Sequence, residues 1–256
     1  MVIRISLGNA GSGKTIMEVR NMEKNSDMIT YSNIHTSMKH QINIDPKMII
    51  KRELVDYKKS KVTGKKDPIY KYKPNLEYWQ KATKDKPVNI VIDEAHSIYN
   101  SRKSMTKLNV CISDWISLIR RVVGENDQYE GELVLISQLW NRIDVIAREM
   151  ATQIRYHKCH YMKSCLDCGL TWNETSEMAE KYMKCPTCMT RNLYKFGFNI
   201  EIWKFKSMQN YMMWNSGYSG SKGNRPYFSH YFIKSIEKYF PMYNTLQISN
   251  MFSEYY

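Results

Sequence analysis

The residues best suited to chemistry stand in Gly8-Asn9-Ala10-Gly11-Ser12-Gly13-Lys14-Thr15, eight positions of the form G-x-x-x-x-G-K-T. Glycines at this spacing let the backbone curl until successive N–H groups point inward at an anion. A helix that starts here adds its partial positive charge at the same place. Lys14 is then placed to reach β- and γ-phosphates, and the Thr15 hydroxyl to ligate Mg²⁺. The pattern therefore asks for a nucleotide such as ATP with its metal, provided that a strand precedes it and a helix follows. Residues 2–7 are a short β-branched run and residues 16–23 contain no helix breaker, which meets both conditions.

A second constellation is Val88-Asn89-Ile90-Val91-Ile92-Asp93-Glu94-Ala95-His96, a hydrophobic strand ending in two acids. In a parallel sheet, Asp93 comes close to Thr15 and can hold Mg²⁺ through water. Glu94 is placed to orient or deprotonate an attacking water, which a hydrolase needs and a mere nucleotide binder does not. His96 is assigned no role. Residues 132–138 form a further buried strand, and Gln138 at its tip can contact a γ-phosphate or the lytic water.

A third constellation is Cys165-x₂-Cys168 and Cys185-x₂-Cys188, with sixteen residues between the pairs. Each C-x₂-C makes a tight turn whose two thiolates close half a tetrahedron, so the spacing is that of a zinc ribbon. Four protein thiolates leave no open position, so the Zn²⁺ is expected to be structural. His157, Cys159 and His160 lie nearby but are not needed. Gly169 stands where such a knuckle needs a small residue.

The other elements follow from periodicity and composition. Residues 27–34 read as a second strand. Leu108, Ile112, Trp115, Ile116, Ile119, Val122 and Val123 mark one face of a helix of about 18 residues. Arg121 lies nearly opposite that face, placed either to reach a neighbouring subunit's nucleotide or to sit solvated at the helix end. Residues 143–150 read as a short helix, 153–157 as a strand, 193–205 as a strand returning to the main sheet, and 206–228 as a surface loop. Residues 35–86 are harder to assign, with short helices expected near Leu54 and over 76–81 around a turn at 63–65.

At 256 residues and a net charge of +13, the chain accommodates one α/β domain and a small appendage. Residues 51–86 carry twelve Lys/Arg against five Asp/Glu, interleaved with Tyr57, Tyr70, Tyr72, Tyr78 and Trp79. Beside a triphosphatase motif, that mixture points to a polynucleotide rather than to a solvated loop. No apolar run is long enough for a transmembrane helix, and the first strand leaves no room for a signal peptide. With the cysteine spacing, this gives an expected cytoplasmic location, in the host cytoplasm if the protein is viral.

Together, the phosphate loop, Ile-Val-Ile-Asp-Glu-Ala-His at 90–96, the Arg-Arg-bearing helix at 113–123, Leu-Ile-Ser-Gln at 135–138 and Ile-Asp-Val-Ile-Ala-Arg-Glu at 143–149 resemble the FtsK–HerA group of DNA-pumping ATPases. The nearest branches are viral genome-packaging ATPases and the ATPase domain of zonular occludens toxin-like phage assembly proteins. The resemblance covers residues 1–158 and, more weakly, the tail at 233–248. It implies a RecA-like, mainly parallel sheet and a ring of five or six subunits hydrolysing ATP at their interfaces. It also implies Glu94 as catalytic carboxylate, Gln138 as sensor, and Arg121 or Arg148 as an arginine acting in trans. The lysine-rich segment and the cysteines have no counterpart in the core family. Zonular occludens toxin-like proteins usually carry a membrane helix after the ATPase domain, and its absence here favours a soluble packaging motor.

The expected organisation is an ATPase core over 1–158, a zinc-ribbon insertion over 159–192, and a return strand with a C-terminal segment over 193–256. The expected function is ATP-driven translocation of double-stranded DNA to package a viral genome, with a capsid or portal-type protein as a further partner. Two alternatives stay open: an assembly or export ATPase acting on coat protein, and a zinc-ribbon adaptor with a regulatory ATP site. A GTPase would need an N-K-x-D or T-K-x-D motif and an ABC ATPase a Leu-Ser-Gly-Gly-Gln signature; neither is present.

Overall fold

The computed structural model describes residues 2–59, 66–98, 106–122, 130–175, 183–221 and 223–244. Val123, the turn at 63–65 and the tail beyond Asn244 lie outside them. The central element is β1 (Val2–Leu7), where Ile3, Ile5 and Leu7 alternate with Arg4 and Ser6. Alternation sends the two sets to opposite faces of the sheet. The aliphatic set packs in the larger core, while Arg4 and Ser6 lie buried under α1 (Lys14–Lys24).

Around β1 the sheet is mixed and mostly parallel. β2 is Thr30–Ser32, β3 Gln41–Asn43, β6 Asn89–Ile92, β7 Glu132–Ser137 and β8 Gln153–Cys165. The spatial order β8-β1-β7-β6-β2-β3 is parallel throughout. β10 (Leu193–Phe205) and β11 (Ser229–Ile233) continue it beyond β8 as antiparallel strands. Short β9 (Thr171–Thr175) pairs with the far half of β8. The register Leu7↔Ser137 and Ile92↔Leu135 brings the C-terminal tips of β1, β7 and β6 to one edge, and Leu7↔Tyr156 sets that edge beside the first third of β8.

Helices cover both faces. α5 (Lys107–Ile119) buries Leu108, Ile112, Trp115, Ile116 and Ile119 against the larger core. α2 (Pro46–Ile49), α3 (Leu76–Ala82) and α6 (Val145–Met150) share that side, while α1 packs on the other. α4 (Ala95–Ile98) is a short turn directly after β6.

Several local expectations are corrected. The helix expected near Leu54 is β4 (Ile50–Lys59), which forms a separate antiparallel ribbon with β5 (Lys66–Pro74). Lysine and tyrosine alternate only over residues 70–73, Lys58 and Lys59 fall on opposite faces, and a bulge between Leu54 and Asp56 breaks the period. The surface loop expected at 206–228 contains α7 (Met208–Asn215). Ser207 caps this helix, and its Tyr211 and Trp214 pack on Tyr156. The strand expected at 153–157 runs on to Cys165 without a break. Tyr78 and Trp79 do not accompany the lysines: both contact Tyr31 in the core.

Candidate nucleotide site and cysteine cluster

The phosphate loop follows β1 and opens α1 at Lys14. Gly8 and Gly13 hold positive φ values of 148° and 85°. A Cβ on Gly8 would collide with the His157 carbonyl oxygen, and one on Gly13 with the Ile200 side chain. The loop is thus clamped between its own helix and the β8–β10 pair, which is why only glycine fits these two places. Lys14 is buried and donates to the carbonyls of Gly8 and Asn9, each at 2.8 Å, and to Ser12 Oγ at 3.3 Å. Burial lowers its pKa, and the charges of Asp93 and Glu94 oppose that shift.

The acid pair stands one strand beyond β7. Thr15 Oγ1 donates to Asp93 Oδ2 at 2.7 Å. Burial raises the Asp93 carboxyl, against the bonds from Thr15 and the Glu94 N–H. A Thr15 hydroxyl hydrogen-bonded to a carboxylate fits a Mg²⁺ site in which Thr15 would be a ligand and Asp93 would hold the ion through water. Glu94 adopts φ 49°, a left-handed conformation unusual outside glycine. Such strain costs of order 1–3 kcal/mol and collects where a side chain must be aimed. The Glu94 carboxylate receives Gln138 Nε2 at 3.3 Å and lies 3.1 Å from His96 Nδ1. Lys14, Thr15, Glu94 and Gln138 all line one cavity of about 410 Å³, together with Ala10, Gly11, Ser12 and Gly13.

The sequence alone assigns no role to two residues at this edge. Asn33 pairs with the Asp93 backbone in both directions, donating to its carbonyl at 2.9 Å and accepting from its N–H at 2.7 Å. Its signal is positional: it follows β2, which lies beside β6. His96 stands between Glu94 and Ser137, with its Nδ1 3.1 Å from Glu94 Oε2 and 3.5 Å from Ser137 Oγ.

Arg121 is not brought to this edge. It is exposed beyond the C-terminus of α5, which the Thr83–Val122 bond at 3.0 Å ties to the segment preceding β6, at the opposite edge of the sheet. Arg148 lies over the Trp140 ring at 4.7 Å.

The cysteines gather where β8 ends and β10 begins. Cys165 Sγ lies 3.5 Å from Cys188 Sγ and Cys168 Sγ 3.6 Å from Cys185 Sγ, all four within 4.8 Å of one another. These separations exceed a disulfide's ~2.05 Å. They match the ~3.8 Å edge of a tetrahedron with ~2.3 Å Zn–S bonds. The two knuckles repeat one hydrogen-bond pattern: Gly169 N donates to Cys165 O at 2.9 Å, and Met189 N to Cys185 O at 3.0 Å. Gly169 has φ 73° and Met189 φ 60°, so the position needs a left-handed backbone rather than a small side chain. His157, Cys159 and His160 take no part. His157 is buried beside the phosphate loop, Cys159 lines the cavity, and His160 bonds Glu201 at 2.7 Å. Replacing Cys165 and Cys168 by serine is expected to abolish stoichiometric Zn²⁺ binding and loosen the β8–β10 tip, as read by metal content and limited proteolysis. Unchanged zinc content would rule the cluster out as a zinc site.

Among the described residues no helix is long and apolar enough to cross a membrane. No curated protein matches the sequence. The structure is similar to the N-terminal domain of zonular occludens toxin from Neisseria meningitidis, at 15% identity and a TM-score of 0.48, over 95% of this chain and 98% of that one. It is also similar to the genome packaging NTPase B204 of Sulfolobus turreted icosahedral virus 2 in complex with ATP-gammaS, at 13% identity and a TM-score of 0.37, covering 78% and 91%. The family model for zonular occludens toxin (Zot) matches residues 2–190, and the chain belongs to that family.

Proposed function

We propose that the chain is an ATP-hydrolysing motor subunit with a RecA-like core, acting on double-stranded DNA. The observation that carries hydrolysis is Glu94, aimed by a strained backbone, held by Gln138 and close to His96 beside the Thr15–Asp93 pair. In this reading the loop N–H groups and Lys14 bind the phosphates, and Thr15 and Asp93 would hold Mg²⁺, which would supply positive charge there when bound. Glu94 takes the proton of the attacking water while Gln138 orients it. A ring of five or six copies would supply Arg121 or Arg148 from a neighbour, and Zn²⁺ would fix the cysteine knuckles.

DNA as the load is supported by the β4–β5 ribbon. Lys58, Lys59, Lys66, Lys71 and Lys73 are exposed on it, Arg52 lies 3.7 Å over the Tyr70 ring, and Tyr57 is exposed. A two-stranded ribbon is of a size to enter a major groove. The test is steady-state ATP hydrolysis with and without long double-stranded DNA across salt concentrations. Stimulation that fades with salt is expected. Neutralising those five lysines is expected to flatten the log–log salt slope by about 0.9 for each phosphate no longer neutralised.

The family match favours a second reading, an assembly or export ATPase acting on coat protein. Turnover indifferent to DNA at every salt concentration would select it.

A further inference from the structure

The cavity beside the phosphate loop extends well past the space that a triphosphate needs. On one side of β1 stand Glu94 and Gln138, following β6 and β7. On the other side, the β8–β10 pair continues the cavity as an apolar chamber walled by Cys159, Tyr161, Phe198 and Ile200. Its remaining wall is the 3₁₀ segment Ile236–Met242, which contributes Ile236 and Phe240. That segment is strapped across the strand tips. Ser37 N donates to Met242 O at 3.2 Å, and Thr36 and Tyr243 form an antiparallel bridge. Phe198 and Phe240 touch edge to face, with centroids 5.3 Å apart and rings at 84°, and so join the sheet wall to the 3₁₀ wall.

Resting on the nucleotide-site reading above, we infer that this chamber takes the base of the nucleotide, gripping it chiefly by aromatic and aliphatic contact. A triphosphate anchored by Lys14, with its γ end toward Glu94, has only the β8–β10 side left for its base. The polar side chains that line the chamber are Cys159, Tyr161 and Tyr243. The Cys159 thiol faces the His160 carbonyl at 3.9 Å, and the Tyr161 hydroxyl is buried without a hydrogen-bond partner among the described residues. A tyrosine hydroxyl can donate or accept, so neither tyrosine selects one purine edge over the other. Phe198, Phe240, Ile200 and Ile236 offer no side-chain donor or acceptor. Such a chamber discriminates by stacking area, so purines bind better than pyrimidines while adenine and guanine bind alike.

The experiment measures the affinities of ATP, GTP, CTP and inorganic tripolyphosphate, each with Mg²⁺, for the full chain and for Phe198→Ala and Phe240→Ala. Phe240 is partly exposed, so its truncation spares the fold. The expected results are ATP and GTP within about threefold of each other, CTP weaker, and a loss of about tenfold for ATP in each variant. Tripolyphosphate binding should stay unchanged in both. Equal losses for ATP and tripolyphosphate, an undiminished ATP affinity, or a more than tenfold preference between ATP and GTP would overturn the chamber assignment and leave the phosphate loop standing. Binding of neither ATP nor tripolyphosphate by the unaltered chain would overturn both.

Discussion

Glu94→Gln is expected to bind ATP as the unaltered chain does and to hydrolyse it roughly 10²- to 10⁴-fold more slowly, the usual worth of a positioned general base. The amide keeps the size of the carboxylate and can still meet Gln138, so the 3.3 Å contact and the cavity wall survive. What it loses is the ability to accept a proton. Lys14→Ala should behave differently, removing the cation aimed at the phosphates and with it measurable binding. Equilibrium binding of a non-hydrolysable analogue, run beside single-turnover hydrolysis, separates the two. A Glu94→Gln variant that turns over at the normal rate would move the base to another residue.

Glu18→Ala should be the most damaging single change to stability away from the site. Arg4 and Glu18 are 2% and 1% exposed, with Arg4 Nη2–Glu18 Oε2 at 3.0 Å and Arg4 Nη2–Glu132 Oε2 at 2.7 Å. Removing Glu18 takes from Arg4 its fully buried partner and leaves only the partly exposed Glu132 carboxylate, at a cost of up to about 3–5 kcal/mol. Urea denaturation should show a lowered midpoint with an unchanged slope. Truncating both partners to aliphatic residues of similar size should recover much of the loss. The pair also sets an acid limit. Burial alone would raise the Glu18 carboxyl, but the Arg4 guanidinium outweighs it and holds the carboxyl down to about 2, below its ordinary 4.5. This contribution is therefore complete above about pH 4.5 and is lost as pH falls toward 2. A thermal midpoint that stays flat over that range would show the pair to be energetically idle.

What is legible in the sequence is what is written locally. The phosphate loop, the Asp93-Glu94 pair and the two C-x₂-C turns each carry their geometry within a few residues. The stripe of α5 repeats often enough to fix its buried face, and Thr106 caps its start at the Asn109 N–H. The polar partners that hold these pieces together are not legible. Glu18 looks like any solvated helix acid until Arg4, on the neighbouring strand, is seen beneath it. His96 and Asn33 acquire roles only because parallel strands end at a common edge. The β4–β5 ribbon escapes a sequence reading because lysines on both faces, and a bulge, erase the period that would announce a strand. Helix α7 lacks an apolar stripe. It is held instead by aromatic packing of Trp214 on Trp203, from the strand just before it, and on Tyr156, from the more distant β8.

β8 joins places that a short strand would keep apart. It touches the phosphate loop at His157, walls the cavity at Cys159 and Tyr161, and ends in the cysteine cluster at Cys165. At ~3.3 Å per residue, the eight steps from His157 to Cys165 span about 26 Å. Braced by β10 along this length and by β9 over its outer half, it is a stiff rod pivoted at the phosphates. A tilt of only ~5° at the pivot carries the tip through about 2.3 Å, by the same rise per residue. Any tilt of β8 about the phosphate loop would therefore be felt most at the four thiolates, at the far end of the strand.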